Sequence, residues 1–224
     1  MKYRILLCLL ATYVAALRAS AQLLLTFEGL KDLESIQSFY NGGTGSLGST
    51  GPNYGIVFNG GLTLIDTDAG GGGNFGLEPS SDTAAFPDAT MNVLAGFDTT
   101  FSMFYSTVDG PGTVTVWSGL DGTGSALATF NLEALGVGPG DPTGAYSNWK
   151  QISASLAETA YSVTFSGVFF FDNVALGPVT EISPVPEPST YGLFGTFALI
   201  GFVALRRFRG SSHSTDSGAK QSAA

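Results

Sequence analysis

No helical period in the apolar residues survives over ten positions between residues 22 and 182, apart from weak traces at 29–38 and 131–136. Apolar and polar side chains instead alternate in short runs separated by turn-forming residues. A chain patterned this way folds as short strands joined by tight turns. Phe101, Met103 and Tyr105 alternate with Thr100, Ser102 and Ser106, and Tyr161, Val163 and Phe165 alternate with Ser162, Thr164 and Ser166. One side of each run faces a core and the other faces water. Strands are predicted near 22–28, 54–58, 61–66, 90–95, 99–106, 113–118, 125–131, 149–153, 161–166 and 168–176. Val168–Phe171 is apolar on both faces and reads as a central buried strand. Asp109-Gly110 and Asp121-Gly122 mark turns. Nine or ten short antiparallel strands in one stretch of chain predict an all-β sandwich, a jelly roll by preference.

The charge is lopsided. Between 22 and 185 there are 16 Asp and Glu against Lys31 and Lys150, a net of −14. A domain this acidic lacks the cations needed to displace counterions from a phosphate backbone, so nucleic acid is excluded as a partner. The single cysteine, Cys8, falls before this domain, which removes disulfides, thiolate-bound zinc and cysteine catalysis. The single histidine, His213, lies far beyond it and separates any Ser-His-Asp arrangement. Gly43-Thr44-Gly45-Ser46-Leu47-Gly48 has the spacing of a dinucleotide loop but no strand–helix context, and reads as an ordinary loop. No enzyme activity is expected. The one catalytic design left open is a pair of carboxylates, as in a secreted hydrolase.

The two ends look like targeting segments. Lys2 and Arg4, the apolar run 5–16 and Ala19-Ser20-Ala21 form the three parts of a secretory leader over residues 1–21. At the other end, Pro184, Pro186 and Pro188 stop any strand and favour extended backbone over 183–190. Residues 191–205 carry no charge, and Arg206, Arg207 and Arg209 follow. As a helix, 15 residues reach about 22 Å, a short membrane span whose basic flank stays on the cytoplasmic side. The polar stretch at the end of 206–224 is expected to lack structure.

Pro186-Glu187-Pro188, the apolar segment and the arginines together resemble the PEP-CTERM sorting signal of Gram-negative bacteria. That resemblance implies processing by an exosortase, transient residence in the inner membrane, and a final place at the cell surface or outside the cell, in association with exopolysaccharide and biofilm. The central domain, 22–182, also resembles jelly-roll carbohydrate-binding modules through Phe27-Glu28-Gly29 near its start and Phe171-Asp172-Asn173-Val174 near its end. In such modules the two carboxylates meet at a structural calcium, so Glu28 and Asp172 are candidate calcium ligands. They come together if the first and last strands are neighbours, and the plain alternative is two solvated strand-end carboxylates. Trp117 shares a strand face with Thr113 and Thr115, opposite Val114 and Val116, which makes it a candidate sugar-stacking ring. Trp149, with Tyr146 nearby, is a second candidate. Asp66 and Asp68 form an Asp-x-Asp pair beside a glycine run, readable as ligands on one face of an extended strand or as turn residues.

Overall fold

The computed structural model describes residues 22–138 and 144–177. The expected leader 1–21, the segments 183–190, 191–205 and 206–224, and their candidate residues Pro186, Glu187, Pro188, Arg206, Arg207 and Arg209 lie outside these residues. Ten strands are present: β1 (Leu23–Leu25), β2 (Glu34–Ser35), β3 (Ile56–Ile65), β4 (Thr83–Phe97), β5 (Thr100–Ser106), β6 (Gly112–Trp117), β7 (Ala126–Leu132), β8 (Lys150–Ser155), β9 (Ala160–Gly167) and β10 (Phe170–Leu176). All pairings between them are antiparallel. Among the described residues the sole helical feature is one 3-10 turn, Leu120–Gly122. None of the described helices is long and apolar enough to cross a membrane.

The pairings resolve into two sheets. One runs β1-β10-β5-β8 and the other β4-β9-β6-β7. Setting aside β2 and β3, the eight strands in chain order give 1-8-3-6 and 2-7-4-5, which is the strand order of a jelly roll. The predicted fold class is therefore the observed one.

The hairpin β3–β4 joins the two sheets. The second half of β4 pairs with β9, and its first half meets β10 through Ala85 and Phe171. The hairpin bends where the register shifts between Gly60 and Leu62. Gly60, Gly61 and Asp88 are all left-handed there (φ 77°, 73° and 58°), and a Cβ at Gly60 would lie 2.3 Å from the Asp88 carbonyl oxygen. Only glycine fits this approach. Pro87 sits in the same bend, where no ladder hydrogen bond is required of it.

The core lies between the sheets. Ile56, Phe58, Met91, Val93, Phe101, Met103, Tyr105, Val114, Val116, Val163, Phe165 and Phe171 supply it, and Phe165 and Phe171 stack at 4.4 Å across it. Phe101, Met103 and Tyr105 point inward as their alternation predicted. Val168 does not. It precedes β10 and is 49% exposed, while Phe169–Phe171 are buried. The weak helical traces come to nothing: 29–38 forms turns and the two-residue β2, and 131–136 ends β7 and continues as loop.

Candidate functional site

Three places carry polar chemistry. At the first, β1 pairs with β10 through Leu25 and Val174, so the chain ends flanking Glu28 and Asp172 are neighbours. Glu28 directly follows a left-handed residue, Phe27 (φ 62°), and Asp172 directly precedes one, Asn173 (φ 49°). Such conformations cost a non-glycine residue energy and persist only when packing enforces them. Phe27 is fully buried, and its backbone N–H donates to the Tyr40 hydroxyl at 2.7 Å.

The two carboxylates converge on Ser80. Its hydroxyl lies 2.6 Å from Asp172 Oδ2, 3.4 Å from Glu28 Oε1 and 3.3 Å from the Thr26 carbonyl oxygen. One hydroxyl proton cannot satisfy three acceptors. The Ser80 backbone N–H also donates to Asp172, and the Asp82 and Thr83 N–H groups donate to Glu28. Asp172 is fully buried. Burial, opposed by the Ser80 and Asn173 hydrogen bonds and reinforced by Glu28, pushes its carboxyl up to about 6. Glu78 is pushed up to about 7 by burial and by the nearby charges of Asp66, Asp82 and Asp172. Asn173 Oδ1 is buried and without a hydrogen-bond partner.

This is an acidic, oxygen-rich cluster, and its donor types suit a hard cation such as calcium. Among the described residues no three His, Cys, Asp or Glu side chains are grouped to hold a metal by themselves. The oxygen groups that meet at the Ser80 hydroxyl are Glu28, Asp172 and the Thr26 carbonyl. Asp66 and Asp68 do not share an extended face. The chain turns there, burying Asp66 and exposing Asp68, whose N–H lies 3.4 Å from Asp66 Oδ1.

The second place is the outer face of the β7-β6-β9-β4-β3 sheet. Thr129, Thr115, Thr164, Thr90 and Asn59 stand side by side across five strands. Trp117 lies on this face, half-buried, with its indole N–H donating to Thr164 Oγ1 at 3.0 Å. The face assigned to it from its position in the strand is the observed one. Beside it the turn at Asp121 (φ 55°) folds onto the sheet. The Asn92 and Asn59 amides donate to Asp121 Oδ1 at 2.7 and 3.1 Å, and the Gly122 N–H donates to Ser162 Oγ. Trp149 is placed differently. It donates to the Gly76 carbonyl at 2.9 Å and packs edge-on to Phe75, within a satellite cluster that includes Phe170, Phe86 and Tyr146.

The third is Glu34, which sequence reasoning missed. It is fully buried, and its carboxylate accepts from the N–H groups of Lys31, Leu47 and Ser49 and from the Ser49 hydroxyl, at 2.5–3.0 Å. Burial alone raises its pKa, but these donors outweigh it and bring it down to about 2. The glycine-spaced loop 43–48 thus wraps the protein's own carboxylate, and no sequence signal marked it.

The strand order and the oxygen-rich cluster define the class: a jelly-roll sandwich with an acidic site between its first and last strands. Residues 184–207 match the PEP-CTERM protein-sorting motif. No curated protein matches the chain. Solved structures similar to it include the carbohydrate-binding module of Cellvibrio mixtus lichenase 5A in complex with cellotriose (14% identity, TM-score 0.31, covering 54% of this chain and 88% of that one). The K1 cleaved adhesin domain of Lys-gingipain from Porphyromonas gingivalis gives 15% identity and a TM-score of 0.31, over 54% of this chain and 96% of that one. An arabinoxylan arabinofuranohydrolase from Bacillus subtilis gives 15% and 0.35, over 60% and 30%.

Proposed function

We propose that the chain is an exported, non-enzymatic protein of the cell surface or extracellular matrix, sorted through its C-terminal segment and associated with exopolysaccharide. The match of residues 184–207 to the sorting motif carries this reading. A secretory leader at 1–21 and an acidic domain without cysteine agree with it. In this reading the extended Pro186-Glu187-Pro188 segment is held by an exosortase-type transpeptidase, while residues 191–205 and the arginines after them pause the chain in the inner membrane. Glu187→Ala, or deletion of Pro186–Pro188, is expected to leave unprocessed precursor in the inner membrane fraction. Normal maturation of both variants would remove the sorting claim.

A second reading is a calcium-stabilised carbohydrate-binding module, favoured by Trp117 lying half-exposed on a face of hydroxyl and amide groups. Glu28, Asp172 and the Thr26 carbonyl would hold the ion, which would supply the positive charge that the crowded acceptors around Ser80 lack. Aromatic rings stack on pyranose faces while a few polar groups fix their orientation. Trp117→Ala is expected to lower affinity for a bound polysaccharide at least tenfold on a glycan array, whereas Trp149→Ala acts first on stability. Equal binding by wild type and Trp117→Ala would assign the ring a covering role.

A further inference from the structure

The loop between β6 and β7 lies back on the sheet instead of closing a simple hairpin. Its base is pinned by the Gly119 and Ser118 N–H groups, which donate to the Thr123 and Ser125 carbonyls. Its tip then crosses β9, β4 and β3. Over β9, the Gly122 N–H donates to Ser162 Oγ, and that hydroxyl donates to the Gly119 carbonyl. Farther across, the Asp121 N–H donates to Asn92 Oδ1, and the amides of Asn92 and Asn59 donate to Asp121 Oδ1. Two strands thus hold Asp121 in a left-handed conformation (φ 55°) that few non-glycine residues adopt. Both amides take Oδ1, and the residue is exposed, which leaves the lone pairs of Oδ2 for a ligand. The same tip touches the Trp117 ring. A Cβ at Gly122 would lie 2.9 Å from Thr164 Cγ2 and 3.8 Å from Trp117 Nε1.

Given the carbohydrate-binding reading of Trp117, on which this rests, we propose that Asp121 is the acceptor that fixes the sugar stacked on that ring, and that the ligand is a linear, uncharged polysaccharide. The row Thr129, Thr115, Thr164, Thr90 and Asn59 runs past the ring and ends beneath Asp121. At about 4.8 Å between strands it spans about 19 Å, room for a few linked pyranoses lying across the strands. Charge decides which sugars these are. Every side chain of the row is uncharged, and the charge beside it is negative. Lys31 and Lys150 are the only Lys or Arg between 22 and 185. Lys31 donates to the Leu47 carbonyl and Lys150 pairs with Glu133, so neither serves this face. A uronate or sulfated sugar would meet a carboxylate with no cation to answer it. Neutral sugar hydroxyls donate to Oδ2 in charge-assisted hydrogen bonds, and the row's hydroxyls both donate and accept.

The test is calorimetric titration of the full exported chain in detergent with two kinds of probe. One is a set of neutral β-1,4-linked hexasaccharides of glucose, mannose and xylose, and the other is hexagalacturonate. In wild type at least one neutral probe is expected to bind, equally in 0.05 M and 0.5 M salt. Hexagalacturonate is expected to bind at least tenfold more weakly in the lower salt. Asp121→Asn keeps an oxygen for the Asn59 and Asn92 amides and replaces Oδ2 with an NH2 group. It is expected to lose at least fivefold in neutral-sugar affinity, with a melting temperature within a few degrees of wild type. Full affinity in Asp121→Asn beside a tenfold loss in Trp117→Ala would mean that Asp121 only anchors its loop. That result, or tighter binding of hexagalacturonate than of every neutral probe by wild type, overturns the proposal and leaves the sugar site standing. Binding of neither kind of probe by wild type overturns the carbohydrate-binding reading and the proposal with it.

Discussion

Glu34→Ala is expected to destabilise the domain by about 2–4 kcal/mol, because it strips the acceptor from two buried donors, each of which costs roughly 1–3 kcal/mol when left unpaired, and from two partly buried ones that water can still reach. The donors are the N–H groups of Lys31, Leu47 and Ser49 and the Ser49 hydroxyl. Glu34→Gln keeps the shape but turns an amide NH2 toward at least one of them, so it is expected to recover only part of the loss. Urea unfolding followed by tryptophan fluorescence measures both variants. A loss below about 1 kcal/mol for Glu34→Ala would show that loop 43–49 keeps its conformation without this carboxylate.

The second large effect concerns pH and divalent cations. Asp172 sits at about 6 in the folded domain against 3.8 for the free side chain, and Glu78 at about 7 against 4.5. Both folded values are raised, so the folded state holds these protons more tightly. Their stabilisation is full at low pH and is lost as the pH climbs from about 4 to 7. For buried Asp172 this amounts to about 3 kcal/mol, at about 1.4 kcal/mol per pH unit, or a fall of roughly 5–10 °C in melting temperature. Glu34 works in the opposite sense, since its value is lowered from 4.5 to about 2 and its contribution is lost as the pH falls through that range. In chelator the domain is therefore expected to be most stable between about pH 4 and 5. At neutral pH, 10 mM calcium is expected to restore about 2 kcal/mol, from the millimolar affinities usual for extracellular modules. Asp172→Asn is expected to remove its own share of the neutral-pH loss, leaving that of Glu78, and to abolish the calcium response. Calorimetric melts that are flat across pH 4–7 and blind to calcium would show the cluster to be closed by Ser80 alone.

The parts of this molecule that obey local rules were legible in its sequence. Strands β5, β6, β9 and the outward parity of Trp117 follow from period-two alternation, which needs no knowledge of the partner strand. The hairpin β3–β4 was harder to read. Gly60-Gly61 looks like a break between two strands, 54–58 and 61–66, but in three dimensions it is the bend that lets one strand serve two sheets. The first half of β4 was hidden by the same bend, because Pro87 within Ala84–Ala89 reads as the end of a strand. Glu28 and Asp172 were paired by their resemblance to known modules, and the neighbouring of β1 and β10 brings them to one hydroxyl. Ser80, Glu34 and Asp121 were beyond reach. Each takes its role from groups 13 to 92 residues away in sequence, at Leu47, Asn59, Asn92 or Asp172. Nothing local distinguishes a carboxylate that a distant loop will bury from one left in water.

The export and sorting of the chain is tested most directly by mass spectrometry of both ends of the mature protein, recovered from fractionated cells. The leader expected at 1–21 and the match at 184–207 predict a product that starts at Gln22 and has lost the apolar segment 191–205 with the arginines behind it. A soluble cytoplasmic product that keeps both Met1 and Ala224 would contradict it.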